Sequence, residues 1–166
     1  MKKILLLVLV AGGGWWYFHG GRVLSEESVK GFYQQQAMAT LNRNPEALCS
    51  QLASDYQSSS VLVSSEGRAK QEENKKQSCD ALAGMYASFE SLGETMGGML
   101  QLDYDYKIKK ITISSDKKTA VVEASFTLDV AGSVMNFSGS SVDTLIRRNG
   151  KVMVLRSEGI TRVSSG

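Results

Sequence analysis

Residues 102–163 constrain the fold more than any other part of this chain. Four stretches there alternate apolar and polar residues and are divided by turn signals, the pattern of half-buried strands laid side by side. In "LDYDYKI", Leu102, Tyr104, Tyr106 and Ile108 take one face, and Asp103, Asp105 and Lys107 the other. The parity shifts at Lys109-Lys110 before Ile111 and Ile113, which predicts a bulge. Ser115-Asp116-Lys117-Lys118 turns the chain, and Val122, Ala124, Phe126, Leu128 and Val130 then face the core. Gly132-Ser133 turns it again. A strand over 134–147 runs into Asn149-Gly150, the strongest short hairpin signal a sequence carries. A last strand covers Lys151 to about Val163, and Ser164–Gly166 reads as a loose tail.

The first half of the chain reads as helices. Ser25-Glu26-Glu27 is an N-cap followed by acids in the first turn. Val29, Phe32, Tyr33, Ala37, Thr40 and Leu41 follow at helical spacing, and Asn42-Arg43-Asn44 ends the run. Asn44-Pro45-Glu46 opens a second, short helix, with Leu48, Cys49, Leu52, Ala53 and Tyr56 on its apolar side. A modest strand is predicted near 59–64, bounded by serines and Gly67. From Arg68 a long helix is predicted to about Leu92. Its first half, "RAKQEENKKQ", is polar all round. Its second half sets Cys79, Leu82, Ala83, Tyr86 and Phe89 at core spacing, and "GETMGGM" breaks it. No repeat and no interior linker divides residues 23–163, so one domain is expected.

"MKKILLLVLVAGGGWWYFHGGR" precedes that domain and reads as a targeting segment. Lys2 and Lys3 favour the cytoplasmic side, which sends the rest of the chain outward. Two outcomes compete. A signal peptide could be cut after Gly13, although Trp15, Trp16, Tyr17 and Phe18 follow at once. Alternatively residues 4–18 remain as a single-pass inner-membrane anchor with the domain in the periplasm. That run is short for a hydrocarbon core of about 30 Å, with the aromatic cluster at the far interface.

Two of the 19 basic residues are Lys2 and Lys3; without them the bases balance the 17 acids. A neutral domain lacks the basic face that nucleic acid requires. The only histidine, His19, lies in the targeting segment, so the domain has no histidine for a catalytic triad or a His-rich metal site. No motif calls for a cofactor. Asp103 and Asp105 are too few for a calcium cage. The two cysteines, Cys49 and Cys79, face an oxidising compartment if the domain is exported; they pair as a disulfide or remain two small buried thiols.

The order of helix, short Asn-Pro-Glu helix, weak strand, long helix and four long strands resembles the nuclear transport factor 2-like superfamily, which includes ketosteroid isomerase and polyketide-cyclase-like proteins. Two stretches carry the resemblance: "VKGFYQQQAMATLNRNPEALCSQLASDYQ", similar to the family's opening helical pair, and "VDTLIRRNGKV", similar to its penultimate hairpin. The resemblance implies an α+β cone, with three N-terminal helices packed in the concavity of a curved, mainly antiparallel sheet. It also implies pairing of sheets into a homodimer. Anchored members of this fold serve in envelope machines such as type IV secretion, which makes an envelope protein partner one expectation.

Alternation puts Asp143 on one face with Met135, Phe137, Gly139, Ser141 and Leu145. In the resembled fold that face lines the cone, where desolvation would favour a protonated, hydrogen-bond-donating carboxyl. Asp143, Tyr33, Met135, Phe137, Tyr104, Tyr106 and Phe126 are therefore the candidate pocket residues. The alternative for Asp143 is an acid bonded to a nearby Tyr, Thr or Arg that locks the sheet. For Tyr104 and Tyr106 it is plain core; Met96, Met99 and Met135 read as core or cone-mouth lining, and Arg147-Arg148 reads as solvated. The isomerases' general base falls on "QSSSVLV", residues 57–63, which holds no carboxylate. Their helix-one tyrosine falls nearest Tyr33, with Ala37 the position that matches the spacing strictly. Three functions remain: a non-catalytic binding or assembly domain at the membrane, a carrier or sensor of a small apolar ligand, or an isomerase- or lyase-type enzyme using Asp143.

Overall fold

The computed structural model of the chain describes residues 22–98, 100–132 and 134–165, Ser165 by its backbone alone. Residues 1–21 of the targeting segment, with the apolar run 4–18 and His19, lie outside the described residues, as do Met99, Ser133 and Gly166. Among the described residues no helix is long and apolar enough to cross a membrane.

Helix α1 (Glu26–Leu41) opens on a reciprocal cap in which the side chains of Ser25 and Ser28 each accept the other's backbone N–H. The Asn44 side chain caps α2 (Pro45–Ser50) by accepting the N–H of Ala47 at 2.8 Å. Then come β1 (Leu52–Ser64), β2 (Gly67–Asn74), α3 (Lys75–Thr95), β3 (Leu102–Ile113), β4 (Thr119–Val130), β5 (Met135–Arg148) and β6 (Lys151–Ser165). The strands form one curved, open sheet in the order β2-β1-β6-β5-β4-β3. Every neighbouring pair is antiparallel except β1 and β6, which run parallel. The α+β architecture of helices against a curved, mainly antiparallel sheet is the expected one.

Two apolar clusters hold the helices to the sheet. In one, Leu24, Val29, Phe32 and Tyr33 meet Val122, Leu145 and Val154. In the other, Tyr86 and Phe89 of α3 meet Leu128 and Val130. Fully burying a side chain of this size contributes about 1.5–3 kcal/mol, so these faces fix where the helices sit. Cys49 near the end of α2 and Cys79, the fifth residue of α3, are disulfide-bonded, with Cα atoms 5.4 Å apart.

The strand half follows the sequence closely. The β3 bulge falls between Ile108 and Lys110, and Asn149 and Gly150 take positive φ in the β5–β6 turn. The first half needs corrections. The helix expected from Arg68 begins at Lys75, because residues 67–74 form β2, an edge strand paired to β1 along its length. Helix α2 stops at Ser50. Leu52, Ala53 and Tyr56 belong to β1, which is drawn into parallel pairing with β6 through Leu52 and Val154. Strand β6 runs on to Ser165 because Met135 still has an edge to offer it. Leu41 is exposed, and Ala39 takes the buried position. Arg147 and Arg148 are engaged: Arg147 donates to the carbonyls of Gly150 and Val23, and Arg148 forks onto Asp55 at 2.7 and 2.9 Å.

Candidate ligand pocket

The sheet register builds a hollow from small residues. One row across the concave face reads Val122, Asp143, Ser157, Ser58, Glu73 from β4 to β2. The next row reads Ala124, Ser141, Gly159, Ser60. None of these last four side chains has bulk enough to reach the helices. What remains is a cavity of about 340 Å³ walled by Tyr33, Tyr56, Tyr104, Tyr106 and Phe126. That volume is at the lower end of the range for small-molecule sites. Phe126 lies over Gly139, where an added Cβ would meet the ring at 2.8 Å.

Asp143 is the one charged residue among the described residues that is buried, at 8% exposure. Three hydroxyls donate to it. Tyr33 Oη reaches Oδ2 at 2.6 Å from α1, Ser157 Oγ reaches Oδ1 at 2.6 Å from β6, and Ser141 Oγ reaches Oδ2 at 3.0 Å from β5 itself. A buried carboxylate needs this satisfaction, since leaving one unmade is costly. The Tyr33 bond also ties the first helix to the sheet across most of the domain.

A second carboxylate lies on the same wall. Glu73 of β2 accepts a hydrogen bond from Ser78 Oγ, in the first turn of α3, at 2.7 Å. Asn74, next in the chain, caps α3 and exchanges side-chain bonds with Gln77, which fixes the strand-to-helix joint that carries Glu73. Among the described residues no three His, Cys, Asp or Glu side chains converge as metal ligands.

Burial sets the behaviour of the phenols. Tyr33 is pushed well above the ordinary tyrosine value, by burial first and then by the facing Asp143 charge and its hydrogen bond. Tyr104 is pushed up to about 12, again by burial and then by Asp143. Tyr56 is raised mainly by burial. All three stay protonated near neutrality, so they act as hydrogen-bond donors and not as bases.

Of the seven residues expected at the pocket, Asp143, Tyr33, Tyr104, Tyr106 and Phe126 come together there. Met135 and Phe137 do not. They sit further along β5, where α3 covers the sheet, and pack on the second cluster, with the Phe137 ring 6.3 Å from that of Phe89. Tyr33, and not Ala37, is the residue of α1 that meets Asp143. Glu73, Ser78, Tyr56 and Ser157 were missing from the expected set. Glu73 falls in the stretch that reads as a solvated helix and Ser78 directly after it, although Gly67 and the Asn74–Gln77 cap pair signal a turn and a later helix start.

No protein-family model and no curated protein sequence matches the chain. Solved structures do match it in fold. A scytalone-dehydratase-like protein of Novosphingobium aromaticivorans superposes with a TM-score of 0.61 at 14% identity, covering 85% of this chain and 87% of that one. A nuclear transport factor 2-like protein of unknown function from Shewanella oneidensis gives 0.57 at 16%, covering 82% and 99%. Another from Shewanella baltica gives 0.54 at 11%, covering 82% and 92%. The fold is therefore the nuclear transport factor 2-like cone, and at these identities the likeness concerns the fold alone.

Proposed function

We propose that this chain, a nuclear transport factor 2-like cone by fold, is an exported domain held at the outer side of the inner membrane by residues 4–18, and that it binds a small ligand in its cavity without transforming it. The carrying observation is the state of Asp143. Its two oxygens are taken by three hydroxyl donors, so it serves as an acceptor that fixes α1, β5 and β6 and is not left free to shuttle a proton. With the Tyr33 hydroxyl committed to Asp143, the protonated Tyr104 phenol supplies a donor for a ligand, not a base. Serines and tyrosines dominate the wall, which favours a ligand with polar groups over the wholly apolar one expected from the sequence.

The setting is argued from chemistry elsewhere in the chain. The Lys2-Lys3 start and the apolar run support export. The Cys49–Cys79 disulfide fits an oxidising compartment. The convex face exposes Val121, Val142 and Ile160 on three adjacent strands, which supports pairing of two sheets into a homodimer or docking of an envelope partner.

One observation favours a second reading, an isomerase- or lyase-type enzyme: Glu73 gives the cavity a second carboxylate, the group that residues 57–63 lack. Native mass spectrometry of the exported, unreduced protein tests the first reading. A co-purifying small molecule, released unchanged on denaturation, is the expected result. An empty protein that turns over a cavity-sized substrate, with the turnover lost in Glu73→Gln at unchanged thermal stability, would replace it with the second.

A further inference from the structure

We infer that the cavity selects a small organic cation, an ammonium or similarly compact positive group on an apolar body. This deepens the binding reading above and rests on it. Asp143 and Glu73 both face the same space of about 340 Å³, and no lysine or arginine lines it. Among the described residues neither carboxylate has an ion-pair partner. The hydroxyls on Asp143 satisfy its oxygens but bring no positive charge, and Ser78 does the same for Glu73. Asp143 is buried and Glu73 half-buried, and a carboxylate drawn from water without a counter-charge gains from a cationic guest.

Geometry separates an organic cation from a metal ion. Asp143 and Glu73 stand in one register row with Ser157 and Ser58 between them, three strand spacings apart. At about 4.8 Å per spacing their backbones lie roughly 14 Å apart along the sheet. A bare ion needs its oxygens within about 2.0–2.6 Å, and two carboxylates so placed do not meet on one. An organic cation needs only one of them: its charged end meets Glu73, which holds a single hydroxyl donor, while its apolar body lies along the rings toward Asp143. The aromatic wall suits the rest of that molecule. Tyr33 and Tyr106 lie 6.0 Å apart at 23°, Tyr104 and Tyr106 6.3 Å at 24°, and Tyr104 and Phe126 6.5 Å at 31°, a run of rings nearly aligned. Ring faces within about 6 Å of a cation attract it, and they pack equally well against its apolar body.

Three probes of one shape and different charge make the test: benzylammonium, benzyl alcohol and benzoate, titrated calorimetrically into the full chain at low salt. Benzylammonium is expected to bind at least tenfold more tightly than benzyl alcohol, and benzoate more weakly than both. The preference should shrink in high salt as screening sets in. Glu73→Gln, on a half-exposed edge-strand position that tolerates an amide, should lower benzylammonium affinity about tenfold and leave benzyl alcohol within twofold. Benzyl alcohol or benzoate binding as tightly as benzylammonium overturns the cation and leaves the binding reading standing. A preference unchanged in Glu73→Gln overturns it as well. If none of the three binds at millimolar concentration the cation falls, and the native mass of the exported protein decides separately whether ligand binding falls with it.

Discussion

Replacing Tyr33 by Phe removes one hydroxyl from the cluster around the buried Asp143 and leaves the ring in place. Tyr33 is 4% exposed, and its Oη sits 2.6 Å from Asp143 Oδ2. A hydrogen bond to a charged group contributes about 1.5–3 kcal/mol. Ser141 and Ser157 remain on Asp143, which puts the expected loss near the lower half of that range, about 2 kcal/mol. For a domain of this size that lowers Tm by about 6 °C. Urea titration with the disulfide intact measures it. A cycle with Asp143→Asn isolates the pair, with a coupling of about 1.5 kcal/mol expected. Alkaline pH gives an independent arm. The Tyr33 phenol is raised in the folded state, so its stabilisation is whole below the unfolded value near 10 and is lost as pH rises beyond that. Each such tyrosine costs about 1.4 kcal/mol per pH unit there. Tyr104, pushed up to about 12, adds its own decline between pH 10 and 12. Tyr33→Phe should remove its own share of the alkaline decline and leave that of the other raised tyrosines. A variant within 0.5 kcal/mol of the parent at pH 7, with its alkaline slope unchanged, would refute the assignment of Tyr33 as the tie between helix and sheet.

Reducing the Cys49–Cys79 bond reopens a 30-residue loop and should cost about 3–4 kcal/mol on the chain-entropy account, read as a shifted urea midpoint in reductant. Asn74→Ala removes the α3 cap and should cost about 1 kcal/mol in the same assay. Gly139→Ala drives a methyl into the Phe126 ring and the Ile160 carbonyl, with a loss of about 1–3 kcal/mol by overpacking. Ser60→Leu puts bulk on the cavity floor; native mass should then show the bound molecule reduced or gone while the fold is retained.

The β half of the domain was legible because each strand has one wet face and one dry face. Period-two alternation then fixes parity, which put Asp143 on one face with Met135, Phe137 and Leu145, and the family resemblance turned that face inward. The same signal failed on β2. Every residue from Gly67 to Glu72 is exposed on this edge strand, so no alternation of burial was written into "GRAKQEEN". Arg, Lys and Glu at an exposed edge discourage stray pairing, and the same composition reads equally as a solvated helical turn. Strand β1 was shortened for a related reason. Its start, Leu52 and Ala53, is buried twice running, which breaks alternation and extends the helical spacing of α2. Tyr33 and Ala37 stand one turn apart on one helix face, so sequence spacing could not choose between them; only a side chain long enough to reach Asp143 settles it.

The missed strand and the missed carboxylate are one event. Glu73 is the only half-buried residue of β2, and it is half-buried because Ser58, its partner on β1, opens toward the cavity. One residue later Asn74 stops the strand and starts α3. The turn that follows returns Ser78 to Glu73, and Cys79, next in the chain, bonds the helix back to α2. Strand end, helix cap, hydroxyl donor and disulfide thus occupy seven consecutive positions, and each restrains the same carboxylate. An edge strand left free would fray and carry Glu73 into solvent. Stapled at its end, it keeps the Glu73 carboxylate on the cavity wall with the disulfide behind its Ser78 bond, while Asp143, three strands away, is held by hydrogen bonds without such a staple. Reduction should therefore loosen the Glu73 wall before it disturbs the Asp143 floor, and hydrogen exchange across residues 67–79 and 139–145 would resolve the two.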